Sequence, residues 1–330
     1  MSESSGHWVS PSSVLLAGAS GYIGAHVADE LVRRGYDLLA LVRASSSRAG
    51  LNGAARVVEA EMTGDGSSLE AMLAGERIDA VISCIASRSG APRDAWQVDY
   101  EANLNLLKAA KAVGVRHFVL LSAICVQRPQ LAFQHAKLAF EAKLRESGLT
   151  YSIVRPTAYF KSLAGQVARV SAGKPFLVYG SGTQTACKPI SEADLARYLV
   201  DCLTLPERFD RLLPIGGPGP AITPREQGEL LCRLAGQPAL IRSVSPRFFD
   251  LLIAVLGPLS KVIPPLAAKA EFARIGRYYA TESMLCWDAQ RGTYDAQATP
   301  SFGEDTLEAF YERVLEEGLA GQDLGAHKLF

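Results

Sequence analysis

A glycine-rich turn between an apolar run and an amphipathic helix is the feature that most constrains this chain. The segment VLLAGASGYIGAHVADELVRRG carries three glycines after a buried strand and at the start of a helix. Such a turn lets a pyrophosphate approach the backbone and offers it the free N–H groups of a helix N-terminus. The spacing is G-x-x-G-x-x-G, a weak signal without the strand and helix that flank it here. We predict a dinucleotide site formed by Gly18, Ser20, Gly21, Tyr22, Ile23 and Gly24.

The end of the second strand indicates which nicotinamide cofactor binds. Sites for NAD carry an acidic residue about twenty residues after the glycine turn, where it bonds the ribose 2′-hydroxyl. This chain has Arg43 at that position, and Arg48 follows. A guanidinium holds a 2′-phosphate in bidentate fashion, whereas a carboxylate repels it. We therefore predict NADPH, with a solvated surface arginine as the alternative interpretation of Arg43.

Apolar runs alternate with helical patterns through the first half of the chain. This alternation predicts an α/β fold, a Rossmann-type doubly wound parallel sheet with a smaller C-terminal substrate lobe. We expect strands at 14–17, 37–42, 56–58, 78–84, 115–122, 151–154 and 212–215. Beyond the helix of the glycine turn, we expect helices at 96–113, 133–146, 192–205, 224–235, 248–256 and 305–317.

The regularity of the pattern falls after Arg155-Pro156, which divides the chain. We expect a disordered N-terminus over 1–12, an NADP-binding Rossmann domain over 13–156 and a substrate-binding lobe over 157–330. At least one strand of that lobe, 212–215, is expected to return to the main sheet.

Composition excludes several classes of protein. Lys and Arg together number 34, as do Asp and Glu, so bulk charge gives no reason to expect nucleic acid as a partner. The six scattered cysteines form no C-x-x-C pair, and no metal site is predicted. The longest apolar stretch, 248–263, is too short and interrupted to span a bilayer, although peripheral membrane contact stays open. With a short polar N-terminus, these features predict a cytoplasmic protein.

Residues after the fourth and fifth strands resemble the active-site edge of short-chain dehydrogenases/reductases of the extended or atypical branch. In that superfamily a Ser after the fifth strand and a Tyr-x-x-x-Lys pair on the next helix supply the acid chemistry. This chain has Ser122 and Lys137, but Phe133 stands where the tyrosine is expected. The resemblance implies that Lys137 contacts the nicotinamide ribose. The end of the fourth strand is expected to line the cofactor through Ile85, Ala86 and Ser87.

Longer runs narrow the resemblance. They include SCIASRSG, HFVLLSAICVQRP, YSIVRPTAYFKSLAGQV, CKPISEADLA, LPIGGPG and RIGRYYATESMLCWD, and several of them lie outside the generic cofactor region. The chain resembles the NADPH-dependent divinyl chlorophyllide (or protochlorophyllide) 8-vinyl-reductases. The resemblance implies a magnesium-containing divinyl tetrapyrrole as substrate and reduction of its 8-vinyl group to ethyl. Phe133 is consistent with this reaction, because a vinyl group has no oxygen that an acidic tyrosine would have to protonate.

The resemblance leaves the individual roles open. Ser122, Lys137, Tyr159 and water are candidate proton sources. A flat tetrapyrrole needs an apolar slot, for which Tyr159-Phe160, Phe248-Phe249 and Tyr278-Tyr279 are candidate walls. The cations expected to meet its propionate are Lys161, Arg274 and Arg277. Two alternative functions remain: another NADPH-dependent double-bond or quinone reductase of the same branch, and a non-catalytic NADP(H)-binding regulator of the NmrA type.

Overall fold

Seven parallel strands form the centre of the protein. The computed structural model describes residues 10–43, 51, 56–259 and 265–317, so Arg48 and residues 1–9 lie outside it. The strands follow the order β3-β2-β1-β4-β5-β6-β8. Their bounds are β1 Ser13–Ala17, β2 Asp37–Val42, β3 Arg56–Glu59, β4 Ala80–Ser83, β5 His117–Leu121, β6 Thr150–Pro156 and β8 Arg211–Ile215. The predicted Rossmann-type parallel sheet is confirmed.

Helices cover both faces of this sheet. The main ones are α1 (Tyr22–Arg33), α2 (Ser67–Leu73), α4 (Asn103–Ala112), α5 (Ala132–Arg145) and α8 (Glu192–Asp201). Val14 and Leu16 of β1 pack beneath α1 and α8, whereas Leu15 and Ala17 pack against α2, α4 and α5. Burial on both faces explains why the strands are apolar at every position rather than at alternate ones.

The strand order reverses between β1 and β4, where both strands end at the same sheet edge. β1 pairs with β2 on one side and with β4 on the other. In open α/β sheets, such a reversal leaves a crevice outside the carboxyl ends of the strands, and ligands bind there. The residues that follow β1, β4, β5 and β6 therefore meet at one edge.

The remaining elements lie mostly in the second half of the chain. The helices are α3 (Pro92–Asp94), which precedes β5, and α6 (Phe160–Leu163), α7 (Val167–Ser171), α9 (Pro224–Leu234), α10 (Arg247–Leu259), α11 (Pro265–Thr281) and α12 (Leu307–Glu317). The strands are β7 (Phe176–Tyr179), β9 (Ile241–Val244), β10 (Cys286–Asp288) and β11 (Thr293–Asp295). β7 pairs with β9, and β10 pairs with β11. No helix among the described residues is both long and apolar enough to cross a membrane.

Several predicted bounds differ from the structure, and one long helix was not predicted. The helix expected to reach 205, for example, ends at Asp201. The expected helix 96–113 is interrupted, because Ala95–Ala102 is a π-helix that leads into α4. The helix expected to end at 256 continues through Pro258 to Leu259. The whole of α11 was missed, although it packs along α10 and reaches the edge of the sheet.

Candidate active site

Two glycines of the turn are required by the fold itself. Gly18 has φ +81°, and a Cβ there would lie 2.8 Å from the Cys84 carbonyl oxygen at the end of β4. A Cβ on Gly24 would lie 2.0 Å from the Gly18 carbonyl oxygen. The first glycine thus closes the turn against β4, and the other lets α1 pack against the turn.

Gly21 has no comparable structural reason to be glycine. Its φ of −79° suits any residue, and within the described chain a Cβ would approach only the Gly18 carbonyl oxygen, at 3.1 Å. It is the N-cap of α1 but has no side chain with which to cap the helix. The N–H groups of the neutral residues Tyr22, Ile23 and Gly24 therefore point outwards without a capping acceptor. This open, positively polarised turn fits a pyrophosphate.

Gly21→Ala is expected to weaken cofactor binding without unfolding the protein. A methyl group would project into the space that the turn leaves open for a phosphate, so affinity should fall at least about tenfold, or about 1.4 kcal/mol. Gly165→Ala is the matched control, because its Cβ would meet nothing within 4 Å among the described residues. Titration of cofactor fluorescence and a melting curve measure the two effects. Normal affinity in the Gly21 variant would contradict the assignment.

Arg43 lies where the sequence predicted it, exposed at the end of β2. Its charge is close enough to Glu61 to help lower the pKa of that carboxyl, behind the larger effect of hydrogen bonds from Thr63. A bound 2′-phosphate would therefore share the guanidinium with a neighbouring carboxylate. Arg43 is available as a phosphate ligand, while Arg48 lies outside the described residues.

A buried carboxylate joins the end of β4 to Lys137. Asp99 accepts hydrogen bonds from the Ser87 hydroxyl at 2.6 Å and the Ser87 N–H at 3.3 Å. Its other contact is the Lys137 ammonium, at 2.9 Å between Nζ and Oδ1. The Asp99 side chain is fully buried and that of Lys137 is only 11% exposed. Lys137 is thus a fixed, largely desolvated cation rather than a solvated lysine on a helix surface.

The π-helix places Asp99 in this position. Its extra residue per turn breaks the regular helical bonding, and Asn103 donates side-chain hydrogen bonds to the carbonyls of Val98 and Asp99. Asn103 in turn accepts a bond of 2.6 Å from the Ser83 hydroxyl in β4. Such π segments are frequent at functional sites. Asp99 was not predicted from the sequence. A signal was present, because Asp99 lies seven residues before the buried Leu106 and an acidic residue on a buried helix face is unusual.

The resemblance implies a role for Ser122 in acid chemistry, and the structure pairs its hydroxyl with a buried carboxylate. Ser122 is buried, and its hydroxyl donates a hydrogen bond of 2.5 Å to Glu141, which also pairs with the Arg155 guanidinium. Glu141 lies one helical turn beyond Lys137 on α5. The hydroxyl proton of Ser122 is therefore directed into a buried ion pair.

Tyr159 follows β6 and lies at the sheet edge beside two thiols. Burial raises its pKa, and the nearby thiols of Cys84 and Cys125 raise it further. Burial also raises the pKa of Cys84 to about 12, against the opposing effect of the Lys137 charge. Tyr159 and Lys137 thus border the same pair of thiols, and both tyrosine and thiols stay protonated at neutral pH.

Four predicted substrate contacts lie elsewhere or have partners. Phe160 is buried in the core of the second lobe and packs on Phe310 with ring centroids 5.4 Å apart. The Lys161 ammonium lies 4.4 Å from the centre of the Tyr22 ring. Arg274 pairs with Glu271 at 2.9 Å, and Arg277 pairs with Asp250. Tyr22 belongs to the glycine turn, so Lys161 lies beside the predicted cofactor site. Binding of the substrate by these four residues stays a prediction.

Comparison with known proteins agrees with this geometry. A family model described as NAD(P)H-binding matches residues 18–206. The chain is 49% identical to the chloroplastic divinyl chlorophyllide a 8-vinyl-reductase of Oryza sativa subsp. indica, over 97% of this chain and 83% of that protein. It is 46% identical to the protein of the same name from Arabidopsis thaliana, over 94% of this chain and 79% of that protein.

A solved structure supports the fold alone. The UDP-glucose 4-epimerase of Thermotoga maritima superposes with a TM-score of 0.69 at 19% identity, over 94% of this chain and all of that one. These matches confirm the predicted fold, nicotinamide cofactor and sequence resemblance. They contradict the predicted cytoplasmic location, because the names of the plant relatives place those proteins in the chloroplast.

Proposed function

Because the chain belongs to the divinyl chlorophyllide a 8-vinyl-reductase family, we propose that it reduces the 8-vinyl group of divinyl chlorophyllide to ethyl with NADPH. One observation carries the proposal: the identity of 49% extends over 97% of the chain. The second lobe is therefore matched as well as the cofactor half. A likeness confined to the cofactor half would be compatible with many reductions, because one fold hosts many functions.

The glycine turn and Lys137 are proposed to hold the cofactor. When bound, NADPH supplies a hydride, which this chemistry delivers to the terminal carbon of the vinyl group. The N–H groups at the start of α1 would bind the pyrophosphate, and Lys137 would bind the nicotinamide ribose. Asp99 fixes the ammonium at 2.9 Å and so limits its rotamers. The same network anchors Ser87, next to Ile85 and Ala86, along the crevice.

Phe133 fits reduction of a vinyl group better than reduction of a carbonyl. Addition to a carbonyl generates an alkoxide, which an adjacent acid must protonate, and phenylalanine has no proton to give. Addition to a vinyl group on a conjugated macrocycle spreads the negative charge over the ring system. Rate enhancement then depends chiefly on positioning, and on one proton delivered to the inner vinyl carbon.

Arg43→Asp is expected to reverse the cofactor preference. The variant removes a partner of the 2′-phosphate and adds a like charge beside Glu61, so NADPH affinity should fall about tenfold or more. NADH has no 2′-phosphate and should lose much less. Affinities for both cofactors, measured by fluorescence titration, give the ratio. An unchanged ratio of NADPH to NADH affinity would mean that Arg43 does not bind the 2′-phosphate.

The proposed function is tested by mixing the protein, NADPH and divinyl chlorophyllide. Conversion of vinyl to ethyl should shift the Soret absorption band and consume one NADPH per macrocycle. Omission of the protein and replacement of NADPH by NADP⁺ are the controls. Tight NADPH binding without conversion would support a non-catalytic regulator, and turnover of a quinone alone would support the other reductase class.

A further inference from the structure

We propose that Tyr279 on α11 donates the proton that completes the reduction. This inference rests on the proposed function, which requires one proton at the inner vinyl carbon. Sequence patterns did not predict α11 at all, and the residue that the superfamily would use, at position 133, is phenylalanine. Position 133 cannot supply this proton, so the donor is another residue or water.

Tyr279 packs directly in the cluster that contains Phe133. This cluster consists of Cys125, Leu131 and Tyr278 in its buried centre, with Phe133 and Tyr279 among the partly buried side chains around it. A Cβ on Gly90, in the loop after β4, would lie 3.0 Å from Ile275 and 3.5 Å from Phe133. α11 thus closes against the loop after β4 and the start of α5. Its tyrosine occupies the neighbourhood in which the superfamily tyrosine would stand.

Tyr279 packs in the same cluster as Cys125, next to the sheet edge. Its hydroxyl is close enough to the Cys125 thiol and to Tyr159 for their charges to interact. Lys137 is in electrostatic range of the same thiol. Tyr159 after β6, Lys137 on α5 and Tyr279 on α11 are therefore all near Cys125, which follows β5. Of these, Tyr279 comes from the C-terminal part of the chain.

Two neighbouring hydroxyl groups, those of Tyr278 and Ser122, are less available for proton transfer. The Tyr278 hydroxyl donates to the backbone carbonyl of Cys125 at 2.9 Å, with the carbonyl of Arg128 at 3.3 Å. The Ser122 hydroxyl is directed to Glu141. Among the described residues, the Cys125 thiol is the polar group that neighbours Tyr279, and a thiol is a weak hydrogen-bond partner that a substrate can displace. Its side chain also keeps some exposure, as expected for the wall of a cleft.

The Tyr279 hydroxyl is protonated at neutral pH, as a general acid must be. Burial raises the pKa of its hydroxyl, so the proton is held at neutral pH until a strong base appears. The carbanion left by hydride addition is such a base. In the step, the O–H bond of Tyr279 breaks and a C–H bond forms at the inner vinyl carbon with the electron pair of the carbanion. The phenolate then regains its proton from solvent.

Tyr279→Phe tests this role with a matched control on the adjacent residue. The variant should lower kcat about 100-fold or more, while the KM for the macrocycle and the NADPH affinity change less than about threefold. Tyr278→Phe removes the structural hydroxyl instead. It should lower the melting temperature but keep the kcat of the folded protein.

The stereochemistry of the product separates proton donation from packing. With unlabelled NADPH in D₂O, wild-type protein should place one deuterium on a single face of the inner carbon of the new ethyl group. The residual turnover of Tyr279→Phe should give both faces, because water then protonates the carbanion. A kcat within about threefold of wild type, or a slow variant that keeps stereospecific labelling, would overturn the inference. Failure of wild-type protein to convert the vinyl group would instead reject the proposed function.

Discussion

Lys137→Met is expected to lower turnover about 100-fold or more and to weaken NADPH binding. Methionine retains much of the aliphatic stem and removes the charge, so the change separates chemistry from packing. The ammonium is 2.9 Å from Asp99 and close to the thiols beside Tyr159 and Tyr279. Loss of the ammonium should leave the nicotinamide ribose without that partner. Single-turnover loss of the divinyl absorption band measures the chemical step.

A second lysine of α5 provides the control for this variant. The Lys143 side chain is 51% exposed and pairs with Glu146 on the surface, so Lys143→Met should leave both turnover and affinity unchanged. Because Lys137→Met also leaves Asp99 buried without a cation, thermal denaturation must show how much protein remains folded. Wild-type turnover and NADPH affinity in folded Lys137→Met would remove Lys137 from the active site.

Much of the Rossmann half was predictable because local patterns and tertiary environment agree there. Strands such as β1, β4 and β5 are buried along their whole length and are short, largely apolar runs. Strand β2 has the predicted limits, and the strand near 212 does join β6 at the sheet edge. The division into domains at residue 156 stays a prediction.

The second half was harder to predict because its helices bury small side chains. α11 packs through residues such as Ala270, Ala273 and Ala280, and Gly276 accommodates the ring of Phe249. Alanine and glycine give a weak hydrophobic period, and the exposed Phe272 on the same helix obscures it further. α11 was therefore missed, and with it the context that brings Tyr279 to the sheet edge.

Side-chain pairing limited the prediction of site residues in a different way. Sequence identifies Arg274 and Arg277 as cations but cannot show that Glu271 and Asp250 neutralise them. The same holds for Asp99, whose contact with Lys137 spans 38 positions and depends on a π-helix. Residue type restricts which roles a side chain can play, but its role depends on the partners that the fold provides.

Glu141→Ala is expected to be among the most destabilising single changes in the sheet half. It would leave the Arg155 guanidinium, whose side chain is only 16% exposed, without its carboxylate partner. It would also leave the buried Ser122 hydroxyl without its acceptor. Loss of one member of a buried ion pair costs about 3–5 kcal/mol, so the free energy of unfolding should fall by about that much. Urea denaturation followed by circular dichroism gives the value, and Glu146→Ala on the exposed end of α5 should barely change it.

Ser122→Ala then decides between a structural and a chemical role for the serine. If the hydroxyl serves the Glu141–Arg155 pair, its removal should cost about 1–2 kcal/mol of stability and leave kcat within about threefold of wild type. The reason is that Glu141 still pairs with Arg155, and the alanine methyl fits where the serine Cβ already lies. A loss of kcat beyond tenfold with unchanged stability would instead place Ser122 in proton transfer. In that case the bond of 2.5 Å to Glu141 would be the means by which the serine is polarised.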